Sequence, residues 1–246
     1  MLEGARVFVV VPAHNEERLL GETLAGVPGF VDGIIVVDDA SDDRTAEVAT
    51  SSVGERVSVV RHDTNRGVGA SIATGYGAAL RAGADAIAVM AGDAQMHPDD
   101  LMGLALPVVR GEVDYAKGDR LAHPEVRRLM PWGRRIAGRE LSRLTGWAAG
   151  VALSDSQCGY TVISARAAQG IDLDRLFPRY GYPNDLVGKL VLAGFSIRDV
   201  PVRPVYGSET SGVRPWHVAV ILGLIARTAL RRAATRRPLL APHPFA

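Results

Sequence analysis

Ala86-Ile87-Ala88-Val89-Met90-Ala91-Gly92-Asp93-Ala94-Gln95-Met96-His97-Pro98 is an apolar run that stops at a carboxylate, with a Gln two residues on and a Pro three beyond that. It reads as a buried strand over 86–90 that delivers Asp93 and Gln95 to a crevice, followed by a helix opening at Pro98. Asp-x-Gln at a strand end is a set of hard oxygen donors suited to Mg²⁺ or Mn²⁺, the ions that accompany diphosphates.

Outward from this stretch, strand and helix patterns alternate. Strands are expected at 6–12, 33–37, 57–61 and 113–116, and helices at 16–25, 42–50, 68–82 and 99–110. Gly and Ala in the third helix predict close packing on the sheet. Continuous apolar strands separated by such helices predict an α/β, doubly wound, mostly parallel sheet. Ligands bind such sheets beyond the carboxyl ends of the strands. Three early strand ends carry polar clusters there: His14-Asn15-Glu16-Glu17, Asp38-Asp39-Ala40-Ser41-Asp42-Asp43 and Asp93-Ala94-Gln95. After Arg120 the regularity weakens. A basic stretch spans 123–143, where Arg127, Arg128, Arg134, Arg135, Arg139 and Arg143 face only Glu125 and Glu140. A strand at 159–163, a helix at 184–192, a strand at 196–202, a flexible loop at 203–215, a helix at 218–232 and a frayed tail after Arg237 complete the reading.

Composition narrows the function classes. A chain of 246 residues suits one large α/β domain or one and a half ordinary ones. A net charge of +1 gives no global pull toward nucleic acid. One cysteine, Cys158, excludes an intrachain disulfide framework and a Cys-based zinc site, and is read as a small packed residue. A reducing cytoplasm is the expected compartment. The first six residues lead straight into a strand without a signal-like segment. No apolar run reaches the roughly 20 residues of a spanning helix.

The nucleotide-type fold does not point to NAD. Pro12-Ala13-His14-Asn15-Glu16 follows the first strand, where a Gly-x-Gly-x-x-Gly turn would be needed. Gly67-Val68-Gly69 follows the third strand instead, and no Walker A sequence is present. A diphosphate would therefore be held through a metal. Asp38 and Asp39 can accept hydrogen bonds from a ribose or base, while Ser41 or Asp42 could cap the next helix. Asp185 could cap its helix or serve as a base. His97 reads as a helix-start polar residue.

Taken in order, 9–17, 36–45, 65–70 and the Asp93 segment resemble glycosyltransferase family 2 over about the first 120 residues. Within that family the chain is most similar to the polyprenyl-phosphate sugar transferases, the dolichyl-phosphate mannosyltransferase-like group. Asp155-Ser156-Gln157-Cys158-Gly159-Tyr160 is similar to that group's Asp-x-x-x-Gly-Phe/Tyr motif. The resemblance implies a GT-A fold (Rossmann-like, a mostly parallel sheet flanked by helices), a UDP-, GDP- or dTDP-linked sugar donor, and Mg²⁺ or Mn²⁺. It places Pro12, Asn15, Glu16, Asp38, Asp39 and Gly67 around the donor, and Asp93 and Gln95 at the metal. It places Arg120 and Arg134 at an acceptor phosphate, with Asp155 near the acceptor; Asp93, Asp155 and Arg134 are the expected catalytic set. Two positions depart from the family pattern. Ala91 stands where the first Asp of Asp-x-Asp-x-Gln is common, and Gly138 stands where a Ser follows the second Arg.

The expected organisation is a GT-A domain over 1–215, with a nucleotide-sugar half (1–120) and an acceptor half (121–215), then a C-terminal apolar and basic helix with its tail (216–246). The expected reaction is inverting transfer of a sugar to polyprenyl phosphate. The alternatives are a soluble transferase acting on a sugar or metabolite hydroxyl, and a nucleotide-sugar-binding protein without turnover, the latter suggested by Ala91. An apolar segment ending in Arg227, Arg231, Arg232, Arg236 and Arg237 can lie in an anionic membrane interface, so peripheral contact at the inner face of the membrane is expected, with packing on the core or a partner as the competing reading.

Overall fold

The structure, a computed structural model, describes residues 1–52, 56–205 and 215–235. In chain order its elements are β1 (Val7–Ala13), α1 (Leu20–Gly26), β2 (Gly33–Asp38), α2 (Thr45–Ser51), β3 (Val57–Arg61), α3 (Val68–Arg81), β4 (Ala86–Val89), α4 (Asp100–Val109), β5 (Tyr115–Asp119), α5 (Val126–Leu129), α6 (Trp132–Ala149), β6 (Thr161–Ser164), α7 (Ala165–Gln169), α8 (Tyr182–Ala193), β7 (Ile197–Pro201) and α9 (Pro215–Thr235). The strands form one sheet in the order β3-β2-β1-β4-β6-β5-β7. Strands β1 to β3 build outward to one edge, and the chain then crosses back to set β4 on the other side of β1. That reversal makes a switch point between β1 and β4, where such sheets open a crevice. Only β6 runs against its neighbours, pairing antiparallel with β4 and β5.

Alternation along β1 divides the core. Val7, Val9 and Val11 point to one face, with Leu20 and Leu24 of α1 and Leu101 and Leu104 of α4. Phe8 and Val10 point to the other, with Ile72 and Tyr76 of α3 and Leu186 and Leu190 of α8. The close packing expected of α3 is present: a Cβ on Gly75 would stand 2.2 Å from Val10 Cγ1.

Three boundaries differ from expectation. Helices α1 and α2 begin later than the sequence pattern implies, because the residues before them are tied across the two loops. Glu16 N–H donates to Thr45 Oγ1 at 2.7 Å and Glu17 N–H to Asp43 Oδ2 at 3.2 Å, while Arg44 N–H returns to Glu17 Oε2 at 3.1 Å. The capping role read for Ser41 or Asp42 belongs instead to Asp43, whose Oδ1 accepts Thr45 N–H at 2.9 Å. Strand β5 extends through Lys117 and Asp119, charges that look like a strand's end, because β7 sets Asp199 opposite Lys117. The expected loop at 203–215 falls largely, and the tail after Arg237 wholly, outside the described residues.

Candidate active site

The loops that leave β1, β2 and β4 converge at the switch point. Asn15 N–H donates to Ser41 Oγ at 3.0 Å, and Asp42 N–H to Asn15 Oδ1 at 2.9 Å. Pro12 lies two residues past the last β1–β4 pair, Val10–Val89, and its carbonyl accepts Gly92 N–H at 3.1 Å. Thr23 Oγ1 accepts Ala94 N–H at 3.2 Å, which ties the loop after β4 to α1. Asn15, Ala40 and Ala94 all adopt positive φ, at 58°, 56° and 56°. Left-handed backbone is uncommon for non-glycine residues and costs energy that surrounding contacts must offset. It recurs just past the carboxyl ends of β1, β2 and β4.

The two adjacent aspartates divide their work. Asp38 Oδ1 accepts the N–H and hydroxyl of Ser41, and Arg61 Nε lies 3.2 Å from Oδ2 as an ion pair without an aligned hydrogen bond. Asp39 Oδ1 accepts Arg66 N–H at 2.9 Å and contacts His62 Nδ1 at 2.7 Å, while Oδ2 accepts Gly67 N–H at 2.7 Å. Burial works against its charge, but the donors from His62, Arg66 and Gly67 outweigh it and hold the carboxyl below its ordinary range. Gly67, at φ 94°, starts α3, and a Cβ there would stand 2.5 Å from Pro178 O. Asp39 is thus a strap that fixes the start of α3 beside the crevice.

Asp93 and Gln95 stand half-buried past β4, and Asp93 Oδ1 accepts Gln95 N–H at 3.1 Å. Among the described residues no three His, Cys, Asp or Glu side chains converge as a metal cage. Asp93 and Gln95 could offer an ion one carboxylate and one amide oxygen. That set suits a hard ion that keeps several waters and takes its remaining ligands from a diphosphate.

The second half of the sheet supplies a charged cluster. Arg120, just past β5, forks onto Asp155, with Nε to Oδ2 at 2.7 Å and Nη2 to Oδ1 at 3.1 Å. Asp155 is buried. Desolvation raises its pKa, but Arg120 and Lys117 outweigh it, and the carboxyl is held ionised below its ordinary range. Lys117 is fully buried, and its Nζ has no hydrogen-bond partner among the described residues. Burial lifts the Asp199 carboxyl to about 6, with Lys117 pulling the other way. Burial likewise raises Asp119, against donation from the Ala122 and Leu121 N–H groups. Beside this cluster lies a cavity of about 330 Å³ bordered by Asp119, Ser154, Arg139 and Arg143. Arg134 is exposed on the first turn of α6. Asp185 neither caps α8 nor stands open as a base: it accepts Phe177 N–H at 2.8 Å and binds Arg227 of α9. His97 contacts Arg203 and Asp99, and Cys158 is buried, both as read from the sequence.

The structure therefore gathers Pro12, Asn15, Glu16, Asp38, Asp39, Gly67, Asp93 and Gln95 around the carboxyl ends of β1, β2 and β4, and joins Arg120 to Asp155. Asp119 and Asp199 were not singled out from sequence, and Arg139 and Arg143 were read only as part of the basic stretch. The available signal was charge at Lys117 and Asp119 inside an otherwise apolar strand, and four-residue spacing of Arg135, Arg139 and Arg143 along one helix.

The family model described as "Glycosyl transferase family 2" matches residues 8–161. An uncharacterized protein of Methanocaldococcus jannaschii is 35% identical over 202 residues, covering 81% of this chain and 82% of its own. The UDP-N-acetylglucosamine–dolichyl-phosphate N-acetylglucosaminyltransferase of Methanococcus voltae is 25% identical over 229 residues, covering 87% of this chain and 91% of its own. Among solved structures, glucosyl-3-phosphoglycerate synthase from Mycobacterium tuberculosis, in complex with Mn²⁺, UDP-glucose and phosphoglyceric acid, superposes with a TM-score of 0.64 at 21% identity, covering 94% of this chain and 80% of that one.

Proposed function

Because this chain belongs to glycosyl transferase family 2, a GT-A glycosyltransferase by fold and relatives, we propose that it moves a sugar from a nucleotide-sugar to a polyprenyl phosphate. One observation carries the choice of acceptor. The two carboxylates read from the sequence as possible bases, Asp155 and Asp185, are committed to arginines, Arg120 and Arg227. Asp155, held ionised below its ordinary range, accepts a proton poorly. A lipid phosphate is already anionic at neutral pH and needs no such base. The dolichyl-phosphate acceptor in the name of the Methanococcus relative supports the same reading.

In this reading the loops after β1 and β2 hold the nucleoside, through Pro12, Asn15, Glu16, Asp38, Asp39 and Gly67. Asp93 and Gln95 hold Mg²⁺ or Mn²⁺ on the diphosphate, as the donor set at β4 suits, and the Mn²⁺ and UDP-glucose in the structural neighbour support that pairing. When bound, the ion supplies Lewis-acid stabilisation of the leaving diphosphate. Arg120, fixed in place by Asp155, and the arginines of α6, Arg134 among them, orient the acceptor phosphate in line with the bond that breaks. An oxygen of that phosphate bonds to the anomeric carbon as the diphosphate leaves with the bonding pair, so the anomeric centre inverts.

The test is a thermal-shift panel of UDP-, GDP- and dTDP-sugars with and without Mn²⁺, followed by transfer to polyprenyl phosphate. A metal-dependent rise in melting temperature with one base is expected, as is a lipid-linked product of inverted anomer. Asp93→Asn should lower transfer at least about a hundredfold, since Lewis-acid stabilisation is worth several kcal/mol. Product formed only with a sugar or metabolite hydroxyl would refute the acceptor reading, and binding without turnover on any acceptor would refute transfer.

A further inference from the structure

A chain of buried polar side chains ends at Gln157. Ser156 N–H donates to Ser142 Oγ of α6 at 2.8 Å, and Asn184, on the first turn of α8, meets Thr145 Oγ1 of α6 through its Oδ1 at 2.9 Å. Ser142, Thr145, Ser156 and Asn184 are all buried. Gln157 joins their two ends: its Nε2 donates to Ser156 Oγ at 2.8 Å and to Asn184 Oδ1 at 3.2 Å. Both amide hydrogens are thereby used. Gln157 is only half-buried, and its Oε1 accepts no hydrogen bond among the described residues. A buried polar network is costly unless its members satisfy one another, and it locks the groups it holds. Here it fixes the orientation of an amide whose oxygen is left to bind.

The place of that amide is set from two sides. Toward β5, Gln157 N–H donates to Asp155 Oδ1 at 3.3 Å, the same oxygen that takes Arg120 Nη2. Toward β4, a Cβ on Gly159 would stand 3.4 Å from Met96 Cε and 2.9 Å from the Tyr182 hydroxyl, and Tyr160 OH donates to His97 O at 3.1 Å. Gln157 therefore stands between Arg120 and the loop that carries Asp93 and Gln95. Under the function proposed above, on which this step rests, the acceptor phosphate lies on Arg120, the donor diphosphate on Asp93 and Gln95, and the sugar between them. We propose that Gln157 Oε1 selects the sugar by accepting a hydrogen bond from its C2 substituent, a hydroxyl or an acetamido N–H, with Asn184 as the positioning residue that holds the amide. C2 adjoins the carbon under attack, and Gln157 shares its carboxylate with the arginine that presents the attacking phosphate. A sugar without a C2 donor leaves the fixed oxygen unpaired, which is the way a polar site rejects a near-isostere.

Calorimetry on the full-length protein, with Mn²⁺ and no acceptor, tests the assignment. The probes are free UDP, GDP and dTDP, and each of these linked to glucose, mannose, N-acetylglucosamine or 2-deoxyglucose. On the nucleotide that binds, the best of the three sugars with a C2 donor should bind about tenfold more tightly than 2-deoxyglucose. Gln157→Leu should erase that difference and leave the affinity for the free diphosphate and the melting temperature at their wild-type values. Asn184→Ala should shrink the same difference, again without touching the free diphosphate. A wild type indifferent to C2, a preference that survives Gln157→Leu, or a loss of free-diphosphate binding in that variant would each overturn the inference. A protein that binds none of the probes removes the donor reading and this assignment with it. A C2 preference untouched by Gln157→Leu removes the assignment alone, and transfer to polyprenyl phosphate decides the acceptor separately.

Discussion

Asp155 and Asp199 lie in one buried cluster and carry opposite pH signatures. Asp155, held ionised by Arg120 and Lys117 despite burial, stabilises the fold above the unfolded-state value near 4, and that contribution is lost as pH falls through its lower folded value. Asp199, lifted to about 6 by burial, keeps its proton longer in the folded state, so its contribution falls as pH rises from about 4 to 6. The side-chain carboxyl resonance of Asp199 should titrate near pH 6, and a midpoint near 4 would refute the burial argument. Arg120 is the residue on which Asp155 depends. Replacing it with Met leaves a buried carboxylate without its fork and should cost about 3–5 kcal/mol in a urea melt. Arg120→Lys keeps the charge and loses the two-pronged geometry, so it should cost less in stability while still impairing acceptor use.

At the scale of elements, helix α3 shows how backbone proximity builds the donor side. Gly69 N–H and Ala70 N–H both donate to Pro178 O, at 2.8 and 3.1 Å, and a Cβ on Gly69 would stand 2.1 Å from Phe177 O. Gly69→Ala must push α3 away from that segment and should cost about 1–3 kcal/mol, read as a lower melting temperature with weaker donor-induced stabilisation. The contact was illegible in sequence, since it joins residues more than a hundred apart. What was legible were periods and stops: the apolar runs of β1, β2 and β4, and the acids and amide that follow them. The late starts of α1 and α2 were hidden because the side chains that hold back Glu16, Glu17 and Arg44 come from the opposite loop. The true length of β5 was hidden because Lys117 has its counter-charge on β7, about eighty residues later. Asp155 was legible as a motif, whereas its ion pair with Arg120, which turns it from a base into a support, is a property of the folded chain.

At the scale of the whole molecule, the seven strands of the described residues join a first half that is parallel and local in sequence to a second assembled from distant pieces. Strands β1, β2 and β3 pair in succession across one helix each, while β4 pairs with β1 across three, α1, α2 and α3. Strand β5 instead waits for β6 on one side and β7 on the other. The pairing of Lys117 with Asp199 then acts on how the chain finds its fold. A one-residue slip of β7 along β5 would turn Asp199 to the opposite face and remove one of the carboxylates around the buried Lys117. The observed register thus gains electrostatic support from a residue far along the chain.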